Sequence, residues 1–119
     1  RAPAVQRFDR AALLERIEGD GALLAQMVEI FEEEGARLVA AIGLAISAGD
    51  APALERAAHT LKGMVLNFTA TAAAAAAGRL EELGRNEKLE ESAAALRALD
   101  QELTALRPLL SELCVQVAS

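Results

Sequence analysis

Apolar residues along most of this chain recur three and four positions apart, the spacing that places one buried stripe on an amphipathic helix. In the middle of the sequence Leu54, Ala58, Leu61, Val65 and Phe68 make such a stripe. Before it, Leu24, Met27, Val28, Phe31, Leu38, Ile42 and Ala45 predict a long helix from Asp20 to about Gly49. After it, Ala73, Ala76, Leu80 and Leu83 share one side of a segment from Ala70 to Leu83, whose alanine run and Gly78 would let a neighbouring helix come close. The last stripe is the most regular, with Leu96, Leu99, Leu103, Leu106, Leu110, Leu113 and Val117 alternating three and four apart. Pro108 interrupts it and removes one backbone donor, which predicts a kink or an end to the first part of that helix around Arg107.

Turn residues separate the stripes. Asp9 is suited to cap a short helix running to about Glu18, and Gly19-Asp20-Gly21 breaks it. Asp50 caps the central helix, with Pro52 tolerated in a first turn where no intrahelical donor is needed. The Gly84-Arg85-Asn86 turn precedes the final helix. The expected fold is all-α: an up-and-down antiparallel four-helix bundle with a short additional N-terminal helix lying across one end. One domain is expected over residues 1–119, with 1–8 extended or poorly ordered.

Composition narrows the function classes. A chain of 119 residues with 53% hydrophobic content can bury a continuous core. Aromatics are only 3%, with no Trp or Tyr, so that core must be Leu, Ala, Ile and Val, a mixture that favours packed helices. The formal net charge of -6 argues against nucleic acid or an anionic membrane as partner. Cys114 is alone, which excludes an internal disulfide and fits a reducing compartment; a cytoplasmic location is expected. No apolar run approaches the ~20 residues that span a bilayer, and Arg1-Ala2-Pro3-Ala4-Val5 has no hydrophobic region of the signal-peptide kind.

The candidate chemistry centres on His59, the single histidine, which lies off the buried stripe of its helix. Residues three and four apart are surface neighbours, so Glu55, Lys62, Gly63 and Leu66 share its face. A lone histidine on a helix is most often an ordinary surface residue, and a lone lysine a solvated charge. A glycine, a lysine and a histidine on one face beside a clean apolar stripe are harder to dismiss. Imidazole is largely the uncharged nucleophile near neutral pH, an ammonium beside it suits anionic oxygens, and a mid-helix glycine costs roughly 1 kcal/mol relative to alanine unless another molecule needs the space. Glu55, one turn earlier, is placed to accept the proton of the second ring nitrogen and fix the tautomer.

The run Ala58-His59-Thr60-Leu61-Lys62-Gly63, followed by Asn67-Phe68-Thr69-Ala70, resembles the signature of histidine phosphotransfer (HPt) domains. The resemblance extends from about Asp9 to about Leu113, including Gly49-Asp50 before the histidine helix and Leu80-Glu81 after it. It implies that His59 accepts a phosphoryl group from a receiver-domain aspartate and passes it to another receiver, as a relay intermediate rather than an autonomous enzyme. Lys62 becomes the cation that stabilises the phosphate, Gly63 the clearance for the incoming domain, and Glu55 and Leu66 partner-contact surface. No cofactor of its own is implied, Mg²⁺ being expected on the receiver, and the implied partners are receiver domains and a hybrid sensor kinase; a four-helix core that closes within one chain makes a monomer the simpler expectation. Met64 and Thr69 depart from the family pattern, which usually has a small residue and a glycine there; threonine is better suited to N-capping the following helix.

Other chemistries fit less well. Di-metal bundles need carboxylates and histidines converging from several helices, and one histidine cannot supply them, so Glu32-Glu33-Glu34 and Glu90-Glu91 read as solvated faces. The Gly-x-x-x-x-Gly-Lys phosphate loop is absent, as is a nucleophile and base pair for hydrolysis. Autokinase dimerisation bundles carry a His-Glu pair followed by proline, which Thr60 does not match. The remaining alternative is a helical adaptor that binds a receiver without accepting phosphate.

Overall fold

The computed structural model describes residues 7–118, and the chain over that range is helical, without strands. Helix α1 spans Arg10–Arg16, α2 Gly21–Ala48, α3 Ala51–Leu66, α4 Thr71–Arg85 and α5 Ser92–Ala118, with a single 3-10 turn at Leu89–Glu91 ahead of α5. Three aspartates set the helix starts as their position in the sequence requires. Asp9, Asp20 and Asp50 each accept a hydrogen bond from the backbone N–H three residues on, of Ala12, Leu23 and Ala53, which satisfies a donor that has no partner within the helix.

Packing joins the four long helices in a closed ring, α2 against α3, α3 against α4, α4 against α5 and α5 back against α2. The stripe of α3 is the best buried: Leu54, Ala58, Leu61 and Val65 are wholly excluded from solvent, and Phe68 nearly so. Phe68 meets Phe31 of α2 with ring centroids 5.3 Å apart in a tilted arrangement, a geometry that aromatic quadrupoles favour. Leu24, Val28, Ile42 and Ala45 are buried on α2 as expected, while Met27 and Leu38 are half-buried at the edge of the core. On α4 the buried face is Ala73, Ala74, Ala77, Leu80 and Leu83, with Ala76 only half-buried.

Helix α1 packs through Leu13 and Ile17 into the core. Arg16 donates to the carbonyl of Leu66 at the end of α3 (2.9 Å), and Arg7 pairs with Glu102 of α5 (2.9 Å). Of the start expected to be extended or poorly ordered, residues 1–6 lie outside the described range, whereas Arg7 makes that ion pair and Phe8 packs against the core. No helix among the described residues is long and apolar enough to cross a membrane.

Two local expectations are corrected. Helix α5 does not end near Arg107 but continues through Pro108, with Leu106 and Leu110 buried on either side of it. Pro108 and Thr104, whose carbonyl loses the donor, are both exposed, so the missing hydrogen bond falls on the wet side of the helix, where water can replace it. Thr69 does not cap α4. It takes a left-handed conformation, φ 58, and the capping position passes to Ala70, which provides no side-chain acceptor. The backbone N–H of Ala70 reaches Val65 (3.1 Å) and that of Thr69 reaches Leu66 (2.9 Å), so Thr69 occupies the position of a Schellman turn that glycine normally fills. Its hydroxyl accepts from the Asp9 N–H (2.8 Å) and lies 2.9 Å from the Asp9 carbonyl, which fastens the strained turn to the start of α1.

Candidate functional site

The exposed side of α3 carries the site. His59 stands about two helical turns past Pro52, away from the buried stripe, and 67% of its side chain is open to solvent. Its Nδ1 lies 2.8 Å from Oε2 of Glu81 on α4, a carboxylate whose side chain is only 7% exposed. Lys62 Nζ is 2.6 Å from the other oxygen of the same carboxylate. Arg85, one turn beyond Glu81, adds a contact of 3.1 Å to Oε2 and turns its Nε to Glu55 at 3.1 Å.

The backbone makes this cluster possible. A Cβ on Gly84 would come within 2.8 Å of the Glu55 nitrogen and 2.9 Å of the Ala51 carbonyl oxygen, so α3 and α4 touch backbone to backbone there. That close approach brings Glu81, on the next turn of α4, under the histidine. Gly78 leaves room for the stem of Lys62, whose Cδ would sit 3.5 Å from an added Cβ. The sequence pointed to Gly78 and the alanine run for close approach, but of the two glycines it is Gly84 that lies against the α3 backbone.

Glu81 is held below the usual carboxylate range, first by the hydrogen bond from Lys62, with His59 adding to the effect and burial opposing it. An ionised carboxylate only accepts hydrogen bonds, so Nδ1 of His59 carries the proton donated to it. The tautomer is thereby fixed, and Nε2 keeps a free lone pair on the solvent side of the ring. Glu55, expected to fix the tautomer, instead pairs with Arg85 and stands as part of the same network one contact removed. Glu81 was missed as a site residue. The signal available was its place on the buried face of α4, between Ala77 and Gly84 and beside Leu80, where a carboxylate needs a partner.

Gly63 follows His59 on the open side, and a Cβ there would meet nothing within 4 Å, so no packing inside the chain explains the glycine. Leu66 is 41% exposed on the same side. Met64 turns inward and packs against the core. With Met27, Ile30, Thr60 and Asn67 it lines a shallow apolar groove between α2 and α3 next to the histidine. Among the described residues no group of three or more His, Cys, Asp or Glu side chains is arranged to hold a metal ion.

The site is thus an exposed imidazole on a helical scaffold, paired through Nδ1 with a sheltered carboxylate. The family model of the Hpt domain matches residues 26–108, and the chain belongs to that family. Its fold is similar to the crystal structure of histidine-containing phosphotransfer protein B (HptB) from Pseudomonas aeruginosa PAO1, with a TM-score of 0.78 and 28% sequence identity over 95% of this chain and 98% of that one. No curated protein matches the sequence. The chain therefore serves as a histidine phosphotransfer protein of a phosphorelay, a class whose partners are response-regulator receiver domains.

Proposed function

We propose that His59 is the residue that carries the phosphoryl group. The observation that supports this most directly is the pairing of Nδ1 with Glu81, which leaves Nε2 as the nucleophile. In the forward step the Nε2 lone pair attacks the phosphorus of a receiver's aspartyl phosphate. An N–P bond forms, the P–O bond to aspartate breaks, and the aspartate leaves as a carboxylate. The Nδ1 proton stays in place, so the ring acquires positive charge as the bond forms, and the Glu81 carboxylate 2.8 Å away stabilises that charge. Reversal of the same steps hands the group to a second receiver.

Phosphoryl transfer depends mainly on positioning and charge stabilisation, so one exposed imidazole on a rigid scaffold suffices when the receiver supplies Mg²⁺. Lys62 contributes to phosphate stabilisation from its place against Glu81, Gly63 leaves clearance for the receiver, and Leu66 with Glu55 borders the contact. The ring of contacts among α2, α3, α4 and α5 supports a single domain built as an up-and-down antiparallel four-helix bundle with α1 across one end. That closed core supports a monomer, and the free Cys114 supports a cytoplasmic setting. A hybrid sensor kinase is the upstream source that this relay would need.

The test is acceptance of label. Mixing the chain with a receiver charged by radiolabelled acetyl phosphate should place acid-labile phosphate on it, and His59→Gln should abolish that transfer. A His59→Gln variant that accepts label as well as the parent, or a parent that binds the receiver and never takes up label, overturns the assignment; the latter result is what a pure adaptor would give.

A further inference from the structure

The surroundings of His59 are unequal on its two sides. At about 100° per residue, Glu55 and Lys62 lie on one flank of the histidine and Arg56 and Gly63 on the other. The first flank faces α4 and is closed on itself: Glu81 holds Lys62 and Arg85, and Arg85 holds Glu55. Two carboxylates there meet two cations, so that flank offers no net positive charge. The second flank is open. Nothing lies near Gly63, and Arg56 is exposed.

Among the described residues the Arg56 guanidinium has neither an ion pair nor a hydrogen bond; its backbone carbonyl accepts from the hydroxyl of Thr60. Arg56 nevertheless lines the same concave surface as Glu55, His59 and Glu81. With Nδ1 turned to Glu81, Nε2 points away from the neutralised network, and a phosphoryl group on it would bring negative charge to the open side. A guanidinium one turn away is the group whose planar fork matches phosphoryl oxygens.

Resting on His59 as the phosphoacceptor, we infer that Arg56 is a further catalytic residue, binding the phosphoryl oxygens as the group passes between the receiver aspartate and Nε2. It forms no covalent bond and gives up no proton; it neutralises charge that the Glu81 network, already satisfied, leaves unbalanced.

The experiment is single-turnover transfer from a receiver charged with radiolabelled acetyl phosphate to the parent chain, Arg56→Gln, Arg56→Lys and the charge-matched control Arg37→Gln, over a range of receiver concentrations. The control changes an exposed residue of α2 that pairs only with Glu34. Arg56→Gln should lower the saturating transfer rate on the order of tenfold, less than an enclosed arginine finger because solvent and salt screen the site. Arg56→Lys should keep most of the rate, and Arg37→Gln all of it. Helicity and unfolding midpoint should match the parent throughout, since Arg56 is exposed. The inference fails if Arg56→Gln transfers within twofold of the parent, if lysine is as poor as glutamine, or if only the half-saturating receiver concentration rises while the saturating rate holds, which would make Arg56 a docking residue. A parent that takes up no label would instead overturn the phosphoacceptor assignment itself.

Discussion

The Nδ1 atom of His59 and the Oε2 atom of Glu81 lie 2.8 Å apart across the α3–α4 contact, the ring mostly in water and the carboxylate mostly out of it. That asymmetry matters chemically. The Nε2 side of the imidazole stays accessible, while its partner is sheltered enough for the interaction to be stronger than an exposed pair would be.

Replacing Glu81 therefore separates two contributions. Glu81→Gln keeps an oxygen that can accept from Nδ1 but removes the negative charge, and Glu81→Ala removes both. Single-turnover label transfer should be slower on the order of tenfold for Glu81→Ala, with Glu81→Gln between it and the parent. Equal rates in all three chains would show that the contact does not assist transfer.

The same carboxylate makes stability depend on pH. Its folded-state pKa is depressed, chiefly by Lys62, so folding favours the ionised form. Such a group contributes stability that is fully present above the unfolded carboxylate value and is lost as pH falls through the lower folded value. Urea midpoints of the parent should fall across the acidic range below the ordinary carboxylate pKa, and Glu81→Gln should show a shallower fall there. Parallel pH profiles for the two chains would contradict this.

Much of this arrangement was legible in the sequence because it rests on local rules. The stripe from Leu54 to Phe68 and the caps at Asp9, Asp20 and Asp50 need only helical periodicity and a side-chain acceptor, and each appears where expected. The exposure of His59 followed from the same periodicity. What periodicity cannot give is which residue of another helix comes opposite. Glu55 is the neighbour of His59 along α3, yet the partner is Glu81, 22 residues away, because Gly84 sets how closely α4 lies on α3. The course of the chain at Pro108 and at Thr69 was out of reach for a related reason: the cost of each depends on tertiary surroundings, solvent beside Pro108 and Asp9 beside Thr69.

Thr69 offers a test of that last point. Its left-handed backbone carries strain that glycine would relieve, of order 1–3 kcal/mol for a side chain held in a sparsely populated region, while its hydroxyl contacts to Asp9 are worth about 0.5–1.5 kcal/mol each. Thr69→Val keeps the branched side chain and loses the hydroxyl, so it should destabilise by about 1–2 kcal/mol. Thr69→Gly trades one effect against the other and should lie closer to the parent. Denaturant unfolding checks the order; a Thr69→Gly chain less stable than the parent would mean that the latch outweighs the strain, and one less stable than Thr69→Val that the left-handed turn holds no strain for glycine to relieve.

Two glycines near the histidine should respond oppositely to the same substitution. At Gly84 an added methyl group meets the Ala51 oxygen and Glu55 nitrogen at under 3 Å, contacts that only a backbone shift can relieve, so Gly84→Ala should cost about 1–3 kcal/mol of overpacking against a helix-propensity gain of roughly 1 kcal/mol. Because α4 must move outward, Glu81 would retreat from His59 and label transfer should slow as well. At Gly63 the methyl group meets nothing, so Gly63→Ala should raise stability by up to about 1 kcal/mol. Gly63→Arg, equally harmless to the isolated fold, should block transfer by filling the space a receiver enters. Unfolding midpoints and single-turnover transfer measured on all three variants separate the cases: loss of stability with Gly84→Ala, and loss of transfer without loss of stability with Gly63→Arg. If Gly63→Arg transferred at the parent rate, the open side of α3 would not be the face that the receiver approaches.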